Sequence, residues 1–302
     1  MKYYPEGTNN ATIAHFETLG QIKQAISTKE IFEGKVVMCD KDHNLHIDLG
    51  VIRGIIPRSE GAVGILEGTV RDIALISKVN KFVCFRVMGL HRDDFGNTVA
   101  ILSRRNVQLS CTDEFISKLS LADVITARVT HLEKFGAFID IGAGVNSLIP
   151  IDMLSVSRIN HPCERVHTGM LIKAVLRKKD GDKLTFSLKE LLGTWQENSS
   201  LFSVGETVTG IVRSVESYGV FVELMPNLAG LAEPCSDVAV GTAVSVFIKS
   251  IIPDKMKIKL VIVEKFSTPV QSGNLVYFDE REHIDDWYYS PPDCSKNICT
   301  VF

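Results

Sequence analysis

Residues Val129 to Pro150, VTHLEKFGAFIDIGAGVNSLIP, lie over Val212 to Glu233, VRSVESYGVFVELMPNLAGLAE, without a gap. Five of the 22 positions are identical and six more are close exchanges, Phe135 with Tyr218 and Asp140 with Glu223 among them, so the chain contains an internal repeat. A third and more divergent copy begins near Gly34, where VVMCDKDHNLHIDLG (36–50) follows the same pattern and GIIP (54–57) comes after a one-residue deletion. In each copy a β-rich run turns at a charged tight loop into a second strand. Two further apolar strands follow a looser stretch: FVCFRVMGL with TVAILS, LIKAVLRK with KLTFSLKE, and VSVFIKSII with KIKLVIVE. Five short strands in about 70 residues, with no alternation of strand and helix, predict a small closed antiparallel barrel. The expected fold is mainly β, three tandem five-stranded barrels joined by short helices.

Helical patterning is confined to the joints. Ile13, Phe16, Leu19, Ile22 and Ile26 recur at helical spacing before the first repeat, Thr112 to Leu121 reads as a short helix after it, and Leu188 to Leu201 links the second repeat to the third. The expected organisation is an N-terminal helical segment (1–30), a first repeat (31–105), a helical linker (106–121), a second repeat (122–190), a linker helix (191–203), a third repeat (204–266) and an acidic C-terminal cap (267–302). Strand-like fragments in the cap, NLVYF, WYYS and ICTVF, surround a Pro-Pro turn.

Of 302 residues 45% are hydrophobic and 23% charged, the profile of a folded globular chain and not of extended disorder. No apolar run is long enough for a membrane span and the first residues lack a secretory pattern, so an intracellular, cytoplasmic protein is expected. Seven scattered cysteines with no C-x-x-C pair indicate neither a disulfide framework nor a zinc knuckle. The net charge of −3 argues at first against a nucleic-acid partner. It is unevenly placed: residues 267–302 hold two basic and six acidic side chains, which leaves the preceding body near neutral and confines any basic site to a local patch.

Strand parity suggests where that patch lies. In the second strand of each repeat Ala137, Ile139 and Ile141, Val220, Val222 and Leu224, and Leu45, Ile47 and Leu49 form the apolar parity. The opposite parity places Phe138 with Asp140, Phe221 with Glu223 and His46 with Asp48 on the outer face. A second ring stands three residues earlier (Phe135, Tyr218, His43), and Gly136 or Gly219 between the two permits a bend that would bring both to one side. Paired exposed rings can stack unpaired bases, whereas an isolated Phe more commonly packs in a core. Lys173, Arg177, Lys178, Lys179 and Lys183 lie on the last hairpin of the second copy and Lys249, Lys255, Lys257 and Lys259 on that of the third, with Arg213 on the third copy's first strand. A lysine-bearing hairpin is by itself only a solvated tip, but beside rings it fits a groove for single-stranded nucleic acid.

F-G-A-F-I-D, then S-L-I-P, then a lysine-rich turn and L-T-F-S-L-K-E, resembles the S-one repeat, the RNA-binding OB-fold repeat of the largest bacterial small-subunit ribosomal protein, present also in polynucleotide phosphorylase and other RNA enzymes. The resemblance covers about residues 31–266 in three copies, and it implies single-stranded RNA binding through two rings around the glycine, a third-strand histidine and a basic residue on the last hairpin. It carries these roles to Phe135, Phe138 and Lys183, and to Tyr218, Phe221 and Lys257. The family's histidine is replaced by Pro150 in the second copy, Glu233 in the third and Pro57 in the first. Glu233 would oppose a phosphate, so weaker binding is expected of the third copy. The first copy, with His43 and His46 for rings, resembles the leading repeats that dock onto ribosomal protein.

No serine triad order, phosphate loop or H-E-x-x-H is present, and His43-x-x-His46 and Cys294-x4-Cys299 are poor metal ligand sets, so no enzyme, cofactor or metal is expected. The sequence therefore points to a monomeric, three-repeat protein that binds single-stranded RNA and holds mRNA at the small ribosomal subunit, with the first repeat contacting subunit proteins. Two alternatives remain open at this level, an RNA-binding adaptor of decay or transcription and a protein-interaction scaffold.

Overall fold

Residues 3–8, 12–93, 95–181, 183–235, 237–266 and 275–302 are described by the computed structural model. The inward parity read from the sequence forms the barrel cores: Leu45 and Ile47, Ala137 and Ile139, and Val220 and Val222 are all essentially inaccessible, while Leu224, at a register shift, is half-buried. Burying one face of each short strand is what drives the sheets to close. The fold is mainly β, with three closed five-stranded barrels of common topology, in which the third strand lies parallel to the fifth.

One compact unit comprises Met1–Leu119 with Thr126–Arg128 and Asp140–Asn146. It opens with β1 (Thr12–Ile13), parallel to the next strand, and α1 (Leu19–Thr28). Thr18 caps α1 in a capping box with Gln21, so the helical spacing that begins at Ile13 becomes a helix only from Leu19. Ile13 pairs with Glu33 instead, and Phe16 packs edge-on against Phe32. The barrel is built from β2 (Phe32–Cys39), β3 (Leu45–Asp48), β4 (Arg53–Ile56), β5 (Phe82–Arg92) and β6 (Thr98–Ser103), closed by pairing of β2 with β5. The long stretch after β4 carries α2 (Ile73–Ile76) and buries Ala62, Ile65 and Leu75 in that barrel's core. The linker helix α3 (Arg104–Glu114) starts at Arg104 and not at Thr112. Ser103 ends β6 and at once caps the helix through Asn106, leaving no loop to mark the boundary.

Within this unit Glu6 is buried against Arg104 (2.6 Å) and Lys78 (3.0 Å), and its backbone N–H donates to Asp140 at 2.8 Å. Burial works to raise the Glu6 carboxyl, but the two cations hold it well below the usual carboxylate range, while burial and the Glu6 charge push Asp140 upward. Asp140 is 2% exposed and also accepts from the N–H groups of Gly142 and Gly144. Strand parity puts it on an open outer face; the N-terminal segment covers it.

The second unit comprises Ser120–Ile125, Val129–Ile139 and Ser147–Phe302. The second barrel has β7 (Val124–Glu133), β8 (Gly136–Asp140), β9 (Asn146–Pro150), β10 (Leu171–Asp180) and β11 (Lys183–Ser187). After a 3-10 turn over Lys189–Leu192, α4 (Trp195–Ser199) is capped by Thr194 with Glu197. The third barrel has β12 (Thr207–Glu216), β13 (Gly219–Met225), β14 (Leu228–Ala232), β15 (Ala243–Ile252) and β16 (Lys257–Lys265).

The expected C-terminal cap is an integral part of this unit, although its residues 267–274 lie outside the described ones. Strands β17 (Asp286–Tyr288) and β18 (Cys299–Val301) form a small antiparallel hairpin. Trp287 and Tyr289 join the core of the third barrel, and Tyr277, Ile284 and Phe302 pack with Val175 and Leu191. Aromatic rings bury about 150–250 Å² each, so this contact fixes the segment firmly. Among the described residues no helix is long and apolar enough to cross a membrane.

Candidate nucleic-acid interface

The two rings of each site come from different parts of one hairpin. Lys134–Phe135 and Ser217–Tyr218 are the two-residue turns joining β7 to β8 and β12 to β13. Phe135 and Tyr218 therefore sit on the turns and not on strands, which lets them meet the outward rings of Phe138 and Phe221 despite the odd spacing. Their centroids lie 5.9 and 6.2 Å apart, edge to face at 85° and 88°. Phe135 is 56% and Tyr218 64% exposed, with Phe138 and Phe221 half-buried beneath them.

The glycines serve close approach. A Cβ on Gly136 would stand 2.4 Å from the carbonyl oxygen of Ile149, and one on Gly219 would stand 2.5 Å from that of Ala232. Backbone cannot yield as a flexible side chain can, so the position excludes any larger residue.

Register extends the third-barrel site around its outer surface. Phe221 pairs with Ser214 on one side and Leu231 on the other, and Leu231 pairs with Lys259. Paired residues share a face, so Lys259 and the exposed hairpin residues Lys257 and Lys255 stand on the ring side. A groove of about 720 Å³ runs past Tyr218, Phe221 and Ser214 to Lys255 and Lys257. In the second barrel Lys183 is exposed at the β10–β11 tip, paired with Asp180, and Lys178 and Lys179 are exposed on the same hairpin.

Three basic candidates are engaged by other residues of the protein. Lys173 lies 5.8 Å over the Tyr277 ring and Arg177 lies 5.3 Å from that of Phe302, so both are engaged by the C-terminal segment. Arg213 is the extra residue of a bulge in β12, and its guanidinium donates to Glu223 (2.9 and 3.0 Å) and Glu164. Arg213 lines the groove, but its side chain is buried and its charge is already matched by Glu223 and Glu164, which gives it a structural role there. Glu223, expected outside, is 6% exposed because Arg165 and Arg213 both hold it. Glu233 is exposed, lies 3.4 Å from Lys249 and is not among the groove-lining residues.

The sequence reading missed His131. Its ring stacks on Phe138 at 6.2 Å and 28°, adding a third ring to the second barrel, where the third barrel has Ser214. The signal was available in the shared parity of neighbouring strands. In the first barrel the ring positions do not form a platform. His46 is 8% exposed and bonded to Asp40 at 2.9 Å, and His43 lies 3.8 Å from Asp72. Among the described residues no group of three or more His, Cys, Asp or Glu could hold a metal ion.

A five-stranded barrel with paired rings at one hairpin defines a class of nucleic-acid-binding repeat, and residues 118–189 match the S1 RNA binding domain family. The chain is similar to the small ribosomal subunit protein bS1 homolog of Bacillus subtilis, 32% identical over 217 residues, 70% of this chain and 54% of that protein. It is 30% identical to small ribosomal subunit protein bS1 of Staphylococcus aureus over 70% of this chain and 52% of that protein. The chain thus spans about half the length of these curated relatives. Among solved structures, a multidomain protein with nucleic acid binding domains from Streptococcus pneumoniae aligns over 78% of this chain and 73% of its own, at 13% identity and a TM-score of 0.26. The resemblance to the S-one ribosomal protein family read from the repeats is borne out.

Proposed function

We propose that this protein binds single-stranded RNA on the ring faces of its second and third barrels and holds mRNA at the small ribosomal subunit during translation. The observation that carries the reading is the pair of edge-to-face rings, Phe135 with Phe138 and Tyr218 with Phe221, on hairpins flanked by exposed lysines. Each stacked base contributes about 1–3 kcal/mol, and stacking accepts any base. The first barrel takes a docking role in this reading, since its ring positions hold histidines tied to Asp40 and Asp72.

Two measurements test it. Oligouridylate binding followed against salt should weaken steeply as counterions compete for the phosphates. The tagged protein should sediment with small ribosomal subunits. Salt-sensitive RNA binding without co-sedimentation would make the protein an RNA adaptor away from the ribosome, and absence of RNA binding would overturn the reading.

A further inference from the structure

Building on the RNA reading, we propose that the C-terminal segment and the loop after β9 supply a second wall to the third barrel's groove, where Lys296 and Arg158 grip phosphates flanking a base stacked on Tyr218 and Phe221. Both side chains line the same groove as the two rings. Neither belongs to the repeat that carries the rings.

Both cations are exposed, but the chain beside each is anchored. Ile298, two residues beyond Lys296, has its carbonyl bonded by the Tyr289 N–H (2.9 Å), and its own N–H donates to Ser290 Oγ (2.9 Å). Tyr289 in turn donates its hydroxyl to the Asn227 carbonyl, and its carbonyl accepts from the Trp195 N–H at 3.0 Å. On the other side, Val156 N–H donates to Asn227 Oδ1 (3.0 Å) and Ser157 N–H to the Pro226 carbonyl (3.2 Å), which ties the residues before Arg158 to the β13–β14 turn. One turn, Pro226–Asn227, thus anchors both added pieces.

Charge selects the ligand. Among the described residues Arg158, Lys255, Lys257 and Lys296 line the groove with no ion-pair partner, and Arg213 is already neutralised by Glu223 and Glu164. Glu216 is the one carboxylate among the described lining residues. A strongly acidic tail that directs one of its two basic side chains into a groove containing rings makes a local site for a polyanion with stackable bases. The third barrel is then the better-built of the two sites, against the expectation drawn from Glu233.

The test uses the full chain and a fluorescein-labelled oligouridylate of about ten nucleotides, with anisotropy read over a salt series. Lys296→Ala and Arg158→Ala should each weaken binding about threefold to tenfold at low salt and flatten the log–log salt slope by about 0.7, the loss of one phosphate contact on a single strand. Lys296→Arg should restore both, and Lys23→Ala, on the exposed side of α1, should change neither. If Tyr218→Ala weakens binding while the Lys296→Ala and Arg158→Ala slopes stay at the parental value, the second wall is wrong and the RNA reading stands. If Tyr218→Ala also binds as the parent does, the third barrel is not an RNA site and both ideas fail there.

Discussion

The first and third barrels have the same strand order and parallel closure, yet the face that presents Tyr218 and Phe221 in one is occupied in the other by His43 and by His46, bonded to Asp40. Bulges also fall at matching places, at Val37 and at Arg213, but Val37 is exposed while Arg213 completes a buried ion network. Inward residues therefore set the barrel and outward residues set what it can hold. A repeat can keep its core and lose, or gain, a ligand.

The strongest way to break this comparison is through the bulge. Arg213→Ala leaves Glu223 with Arg165 alone and takes the guanidinium from Glu164, and should cost about 3 kcal/mol of stability in urea unfolding. Thr130→Ala, at the corresponding place of the second barrel, removes only a 3.2 Å hydroxyl bond to the Phe138 carbonyl and should cost about 1 kcal/mol. Equal unfolding midpoints for the two variants would show that Arg213 is not structural.

Removing the rings comes next. Tyr218→Ala/Phe221→Ala and Phe135→Ala/Phe138→Ala should each lose about 2–5 kcal/mol of oligouridylate affinity when measured in a variant whose other ring pair is also removed, while His43→Ala leaves affinity unchanged. A comparable loss from His43→Ala would put the first barrel on the same RNA track. A smaller effect separates the second barrel from the third: His131→Ala should weaken binding by about 1 kcal/mol, and Ser214→His should strengthen the third barrel.

The smallest expected effect concerns the tail. A hydrogen bond to Asp123 at 2.6 Å, with Asp285 nearby at 3.3 Å, raises the pKa of His283 above its ordinary value. Its contribution to docking is thus complete at pH below the ordinary histidine value and is lost as pH rises through the raised one. Protease cleavage of the tail should quicken modestly across that window, and His283→Gln should abolish the pH dependence; an unchanged profile in His283→Gln would remove the tether.

The repeat, the strand parity and both ring pairs were legible because they depend on neighbours close in sequence. What escaped was set by distant partners. Asp140 and Glu223 read as outward and are so relative to their barrels, but Glu6 and Arg165 bury them. Arg213 looked like one more surface cation, since a bulge leaves no mark in composition. Lys296 sits in the most acidic stretch of the chain, where charge counting alone would never seek a phosphate contact. The start of α3 was hidden by polar residues that serve equally well in a loop.

The burial of Glu6 bears on the order in which the chain can mature as it is synthesised. Its backbone N–H finds its acceptor at Asp140, 134 residues later, and its carboxylate is matched by Arg104, 98 residues later. Strands β2 to β6 can pair as soon as they emerge, but the N-terminal segment cannot settle until the turn of the following barrel has been made. At about 5–20 residues per second, the wait from Glu6 to Asp140 lasts roughly 7 to 27 seconds. During it the beginning of the chain stays unlatched, and the long sequence separation makes this seam a late step in refolding as well.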